Sequence, residues 1–223
     1  VAAANPYAMF DEAMTAAEIG EASSKNRMIG DPHLKSMVAK DGVNQASALV
    51  LTRWETAQSL GVADRAIFLH GHGTGSEPQV LNRRAIGESE AMAAAYRNAL
   101  AGAGIDAEQI GAADLYSCFP IAVWVAMDAL GITLDDPRPL TLTGGLPFFG
   151  GPGNNYSTHG IAEMVHWLRA QPEPAYGVVG ANGGYLSKHA VGVYANMPAE
   201  FPEAVPEFKA PEVVEVVSDP EPD

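Results

Sequence analysis

From Ala46 onward the chain alternates short apolar runs with amphipathic stretches. ASALVLT (46–52) is a short apolar run, and RWETAQSLG (53–61) has helical character closed by Gly61. AIFLHG (66–71) predicts a buried strand. ESEAMAAAYRNALAGAG (88–104) is alanine-rich and sets Met92, Tyr96 and Leu100 at helical spacing before a glycine stop. DLYSC (114–118) predicts a short strand, and FPIAVWVAMDALG (119–131) a mostly apolar helix whose Pro120 suits the first turn, where no N–H is needed. RPLTLTGG (138–145) reads as strand and glycine turn. NNYSTHGIAEMVHWLRAQ (154–171) is amphipathic, with Ile161, Met164, Val165 and Leu168 in one stripe. YGVVGAN (176–182) and AVGVYAN (190–196) predict two closing strands. Strands separated by helices imply an α/β fold with parallel strands and crossovers. The last pair, with no helix between them, is expected to be antiparallel.

The two ends break this rhythm. Residues 1–45 are polar and irregular apart from TAAEIGEA (15–22), which suggests an excursion packed on another part of the fold. Residues 200–223 hold eight acidic residues and one lysine among recurrent prolines, half of the net charge of −14, and read as an acidic Pro-rich tail or linker. That charge disfavours nucleic acid and anionic membranes as partners. No apolar run reaches the roughly 18 to 20 residues that cross a bilayer. One cysteine cannot form an internal disulfide or a thiolate-rich metal site, and the start shows no basic leader, so a reducing, cytoplasmic setting is expected.

Three segments carry candidate chemistry. TGGLPFFGGPGNNY (143–156) places five glycines and two prolines before a helix, so Gly150, Gly151 and Pro152 either bring backbone close to a ligand or make a tight turn. Asn154 and Asn155 are placed to cap the helix or to donate to a carbonyl oxygen. GANGGYLSKH (180–189) is longer than a hairpin needs; Asn182 and Gly183 suit a two-residue turn, and Tyr185 adds a polar group. DLYSCFP lies where a strand gives way to a helix, the place where open α/β sheets contact ligands. Cys118 there is either a nucleophile or a buried inert thiol. His159 follows the glycine loop closely enough to act as general acid or base, or else packs. His70 and His72 share a face of a continuous strand, yet no third metal ligand is apparent, and HGHGTG matches neither dinucleotide nor P-loop fingerprints. No metal is assigned. His166, beside Trp167, reads as structural.

Taken in order, DLYSCF, GGLPFFGGP and GANGG before a final strand resemble the C-terminal half of the thiolase superfamily, closest to its sterol-carrier-protein-type and actinobacterial thiolase-like branches (acetyl-CoA acetyltransferase-like). The likeness runs from about Ala46 to Met197, and residues 1–45 resemble the end of the family's loop domain. It implies a layered αβαβα sandwich of which this chain supplies mainly the C-terminal βαβαβαββ half, with coenzyme A or acyl-CoA as substrate and no tightly bound cofactor. It also implies an N-terminal thiolase half or a homo-oligomer as partner, and admits an OB-fold-type domain or subunit. The family's Asn-Glu-Ala-Phe or His-Asp-Cys-Phe motif is matched by Tyr116, Ser117, Cys118 and Phe119. Its Gly-His-Pro motif falls on Gly150, Gly151 and Pro152, and its Cys-x-Gly motif on Ala181, Asn182 and Gly183. Gly151 and Ala181 thus replace the family's histidine and second cysteine, and the nucleophilic cysteine of the N-terminal half is not in this sequence. The expected catalytic residues are His159, Tyr116 and Cys118. The expected activity is acyl-CoA C-acyltransferase chemistry, with retro-aldol cleavage of an acyl-CoA side chain or non-catalytic acyl-CoA binding as alternatives.

Overall fold

A computed structural model describes residues 1–199. Its helices are α1 (Ala16–Gly20), α2 (Trp54–Ser59), α3 (Glu90–Ala103), α4 (Pro120–Leu130) and α5 (Tyr156–Arg169). A small antiparallel pair, β1 (Met28–Gly30) and β2 (His33–Leu34), precedes the main sheet of β3 (Phe68–Ser76), β4 (Ile110–Asp114), β5 (Tyr176–Gly183) and β6 (Lys188–Ala195). The order is β3-β6-β5-β4, with β4 and β5 parallel and β6 antiparallel to both its neighbours.

Side chains alternate across this sheet, so β4 and β5 each feed a core on either face. Ala113, Val178, Val191 and Val193 join Met92, Tyr96, Val125 and Leu130 of α3 and α4 on one face. Ala112 and Val179 meet Met164 and Leu168 of α5 on the other. The helix ends follow from local chemistry. Ser89 caps α3 by accepting from Met92 N at 3.0 Å, Pro120 opens α4, and Gly104 and Gly131 close both helices in left-handed conformation.

β3 explains why a run as glycine-rich as HGHGTG forms a strand. Gly71, Gly73 and Gly75 face α3, where Ala91, Ala95 and Ala99 recur every fourth residue; a Cβ at any of these glycines would collide with the helix backbone. The close seating of α3 outweighs the low strand preference of glycine. β3 is therefore an outer strand reaching Ser76, rather than a buried strand ending at Gly71.

Other expectations are corrected. The DLYSC strand ends at Asp114, and Leu115 to Cys118 form the loop into α4. RPLTLTGG is not a regular strand, although Ala113 N and Leu115 N donate to Pro139 O and Leu140 O along the free edge of β4. Asn182 and Gly183 are not the turn: they lie in β5 opposite His189 and Lys188, and residues 184–187 make the reversal. A bulge at His70 places Leu69, not His70, on the face of His72. Among the described residues, no group of three His, Cys, Asp or Glu is arranged to hold a metal ion. No described helix is long and apolar enough to cross a membrane. The acidic tail lies outside the described residues.

Residues 1–45 make their own local structure and then lie along the glycine loop. Thr15 and Glu18 form a capping box on α1, and buried Asn26 donates to three carbonyls (Glu18, Ile19, Glu21) and accepts from Ser36 N. ASALVLT forms no strand; Ser47 Oγ donates to Thr158 O of α5, and Val50 and Leu51 are almost fully exposed.

Candidate functional site

The site is built on a residue that the sequence reading passed over. Asp114, fully buried at the end of β4, accepts at Oδ2 from Leu142 N (2.8 Å), Thr143 N (3.0 Å), Thr141 Oγ1 (3.1 Å) and Thr143 Oγ1 (3.0 Å), and at Oδ1 from Tyr156 Oη (3.2 Å). Thr141 and Thr143 in turn accept from Gly144 N and Gly145 N. One carboxylate thus ties β4, the glycine loop and the start of α5 together. Burial raises its pKa, and the donors from Thr143, Leu142 and Thr141 oppose that rise. The only signal in the sequence was an acidic residue directly after the apolar run IGAA.

The glycine loop is held from both sides. Phe149 N and Phe148 N donate back to Gly145 O, and Leu146 N donates to Ser117 Oγ. Met9 N and Phe10 N donate to the carbonyls of Phe149 and Phe148, while Gly151 N donates to Lys40 O. The Gln45 amide donates to Tyr7 O and Phe149 O. Gly150 has a φ of 123°, and a Cβ there would strike the Gln45 amide, so glycine is required on two counts. Lys40 crowns the loop with its ammonium 4.5 Å from the Phe10 ring and 5.3 Å from the Phe148 ring. Burial, reinforced by Lys35, lowers its pKa.

Tyr116 and His159 are the two ends of one aromatic row. The Tyr116 ring meets Tyr156 edge-on at 5.3 Å, Tyr156 lies 6.2 Å from Phe149, and Phe149 lies 5.2 Å from His159. Cys118 packs at the same cluster, and its Sγ points to Asn182 Oδ1 at 3.8 Å. Desolvation raises the pKa of both Cys118 and Tyr116, so the thiol is held protonated rather than activated as thiolate. His159 is 7% exposed, and burial lowers its pKa. Its Nε2 lies 3.4 Å from Asn155 Nδ2.

The remaining expected residues divide. Gly151 is buried beneath Lys40 with its N–H already used, and Asn182 reaches Cys118. Asn154 is exposed and Asn155 makes no side-chain cap to α5, because a 3-10 turn over Gly153–Asn155 leads into the helix. Tyr185, 82% exposed on the β5–β6 turn, stands apart from the aromatic row. His159 also opens onto a cleft of about 900 Å³ between α5 and the segments 1–9 and 44–48, with Glu163, His166, Asn5, Gln45 and Ser47 in its lining. His166 is exposed at this cleft, not buried as a packing residue. Burial raises the pKa of Glu163, an effect opposed by its hydrogen bond from Asn5 and by His166.

A mixed sheet between α3 and α4 on one side and α5 on the other, with a glycine loop leading into α5 and an antiparallel closing pair, defines a thiolase-like α/β fold. The comparison with solved structures names its branch: the chain is 47% identical, at a TM-score of 0.84, to a monomeric SCP2-thiolase like protein type 1 from Mycobacterium smegmatis, over 90% of this chain and 44% of that one. The chain belongs to the thiolase superfamily, within its SCP2-thiolase-like group. It spans less than half the length of that relative. No family model and no curated protein matches it.

Proposed function

We propose that this chain forms one half of an acyl-CoA site at which a carbon–carbon bond is made or broken, with Tyr116, Cys118 and His159 around the 150–152 loop as its working residues. The observation that carries the reading is the clustering of these three side chains on the row Tyr116, Tyr156, Phe149 and His159, in a chain 47% identical to an SCP2-thiolase-like protein. Neutral His159, buried but opening onto the cleft, suits proton transfer near neutral pH. A second half would supply the nucleophile that Claisen chemistry needs and would cover the open side of α5. This fits a partner in the form of an N-terminal thiolase half.

The replacement of the family's histidine and second cysteine by Gly151 and Ala181 favours retro-aldol cleavage as the second reading. Cleavage of a β-hydroxyacyl thioester needs a base for the hydroxyl proton. The Cα–Cβ bond then breaks, its electrons pass into the thioester enolate, and an acid returns a proton to Cα. Histidine and tyrosine serve for both transfers, and no thiolate is required.

Calorimetric titration with coenzyme A and acetyl-CoA tests the binding step, and assays of thiolysis and of β-hydroxyacyl-CoA cleavage test the chemistry. Binding retained with turnover lost in Tyr116→Phe and His159→Ala is the expected pattern. Unchanged turnover in both variants would remove these residues from the reaction.

A further inference from the structure

His189 belongs to neither the aromatic row nor the 900 Å³ cleft, yet it is the most fully enclosed histidine of the chain at 4% exposure. It sits on β6 directly opposite Asn182, the partner of Cys118. Its Nε2 lies 3.2 Å from Leu186 O and 3.1 Å from Ser89 Oγ. The carbonyl can only accept, so Nε2 carries the proton, and Nδ1 is left buried with a lone pair and no donor. Ser89 Oγ donates to Glu77 Oε1 at 2.7 Å, and the same oxygen accepts from Ala91 N at 2.8 Å.

These contacts join two segments that have little else to hold them. The segment 77–89 crosses from β3 to α3 mostly without regular structure, and the β5–β6 turn over 184–187 carries Tyr185. They meet through Glu77 N on Ser187 O, through Arg83 donating to Tyr185 O and Ser187 Oγ, and through His189 with Ser89. The charged groups facing His189 are Glu77 and Arg83, of opposite sign. The nearest acidic residue of α3, Glu90, is paired in solvent with Arg97.

We propose that His189 is the key of an acid-released latch, which in its neutral form holds segment 77–89 against the β5–β6 turn and lets both go when the imidazole takes a second proton. Protonation at Nδ1 puts a cation where no acceptor waits and where Arg83 opposes it. Opening of the strap brings the ring to water and frees the end of β5 that bears Asn182. Burial lowers the pKa of His189, with the Leu186 carbonyl and Glu77 pulling the other way, so the latch is fully held above the ordinary histidine value of about 6.5 and loosens as pH falls from there toward the lowered value.

Amide hydrogen exchange of the full chain, followed by mass spectrometry and corrected for intrinsic rates, tests the latch between pH 7.5 and 5. In peptides covering 77–89 and 184–188, exchange is expected to rise by up to about tenfold per pH unit below the transition, as opening linked to one proton requires. Peptides of β4 and α4 should stay protected. His189→Gln keeps a donor at the Nε2 position and cannot titrate, so its profile should be flat. Glu77→Gln removes the favourable charge and lowers the closed-state pKa further, so the rise in exchange should start at the same pH and continue to lower pH than in the wild type. An NMR titration of the wild-type His189 ring covers the case in which the Gln variant does not fold: its midpoint must lie below the ordinary histidine value and within the pH interval over which protection is lost. Equal profiles in wild type and His189→Gln, a ring that titrates without loss of protection, or simultaneous opening of β4 would overturn the proposal.

Discussion

The two faces of the main sheet are built to different specifications. On the α3–α4 face the glycines of β3 and the alanines of α3 bring backbones together, and a large continuous core follows, from Met92 and Tyr96 to Val125 and Leu130. On the α5 face the core is small, around Met164 and Leu168, and half of the sheet is bare. Leu69, His72, Thr74 and Tyr194 line a shallow pocket of about 210 Å³ beside Ile161. One face holds the fold together, while the other keeps surface free for ligand or partner, and His159, Glu163 and His166 lie on its helix.

The contrast is sharpest at neighbouring residues of β3. Gly73→Val drives a side chain into the backbone of Ala95, which cannot move aside, and should cost about 3 kcal/mol or more in urea unfolding. His72→Val, one residue away on the open face, should change stability by less than about 1 kcal/mol. Equal losses would mean that the two faces do not differ in the way described.

Next in size is the anchor of the site. Asp114→Ala strands the donors of Leu142, Thr143, Thr141 and Tyr156 in a buried place and should cost about 3 kcal/mol. Asp114→Asn, which keeps an acceptor for the two backbone N–H groups, should cost about 1 kcal/mol. Thermal unfolding of the two variants gives the comparison. A difference near zero would show that Asp114 is not what fixes the loop.

The order of α3, α4 and α5 and the closing hairpin could be read from the chain because local signals agree there with tertiary packing: a serine cap, Pro120 in a first turn, glycine stops at 104 and 131, and a four-residue-spaced stripe on α5. The extent of β3 could not, because its glycines answer to a helix distant in sequence. Within the site, the 143–156 loop, Tyr116, Cys118 and His159 were visible as residue types near a strand end. Asp114 was not, since a carboxylate that accepts from five groups of another segment looks in one dimension like any polar strand terminus. His189 was hidden in the same way, on a strand whose partner helix cap lies 100 residues earlier.

A smaller effect concerns pH. His159 and His189 both have pKa values lowered by burial, so the folded state resists protonation more than the unfolded chain does. Their contribution to stability is complete above the unfolded value of about 6.5 and is lost as pH falls from there through the folded values. Urea midpoints should therefore decline from pH 7 toward pH 5, and less steeply in His189→Gln. A midpoint that rises over this range would reverse the sign argued here. The smallest effect is at Cys118, whose raised pKa predicts alkylation by iodoacetamide at pH 7 slower than that of free cysteine. Faster reaction would identify an activated thiolate.

The most direct test of the proposed site is chemical-shift mapping by NMR with coenzyme A and acetyl-CoA. Perturbations are expected at Tyr116, Cys118, Gly150, Gly151, His159 and Asn182, with the α3–α4 face unchanged. Binding mapped to that closed face, or no perturbation of the aromatic row at millimolar ligand, would contradict the proposed site.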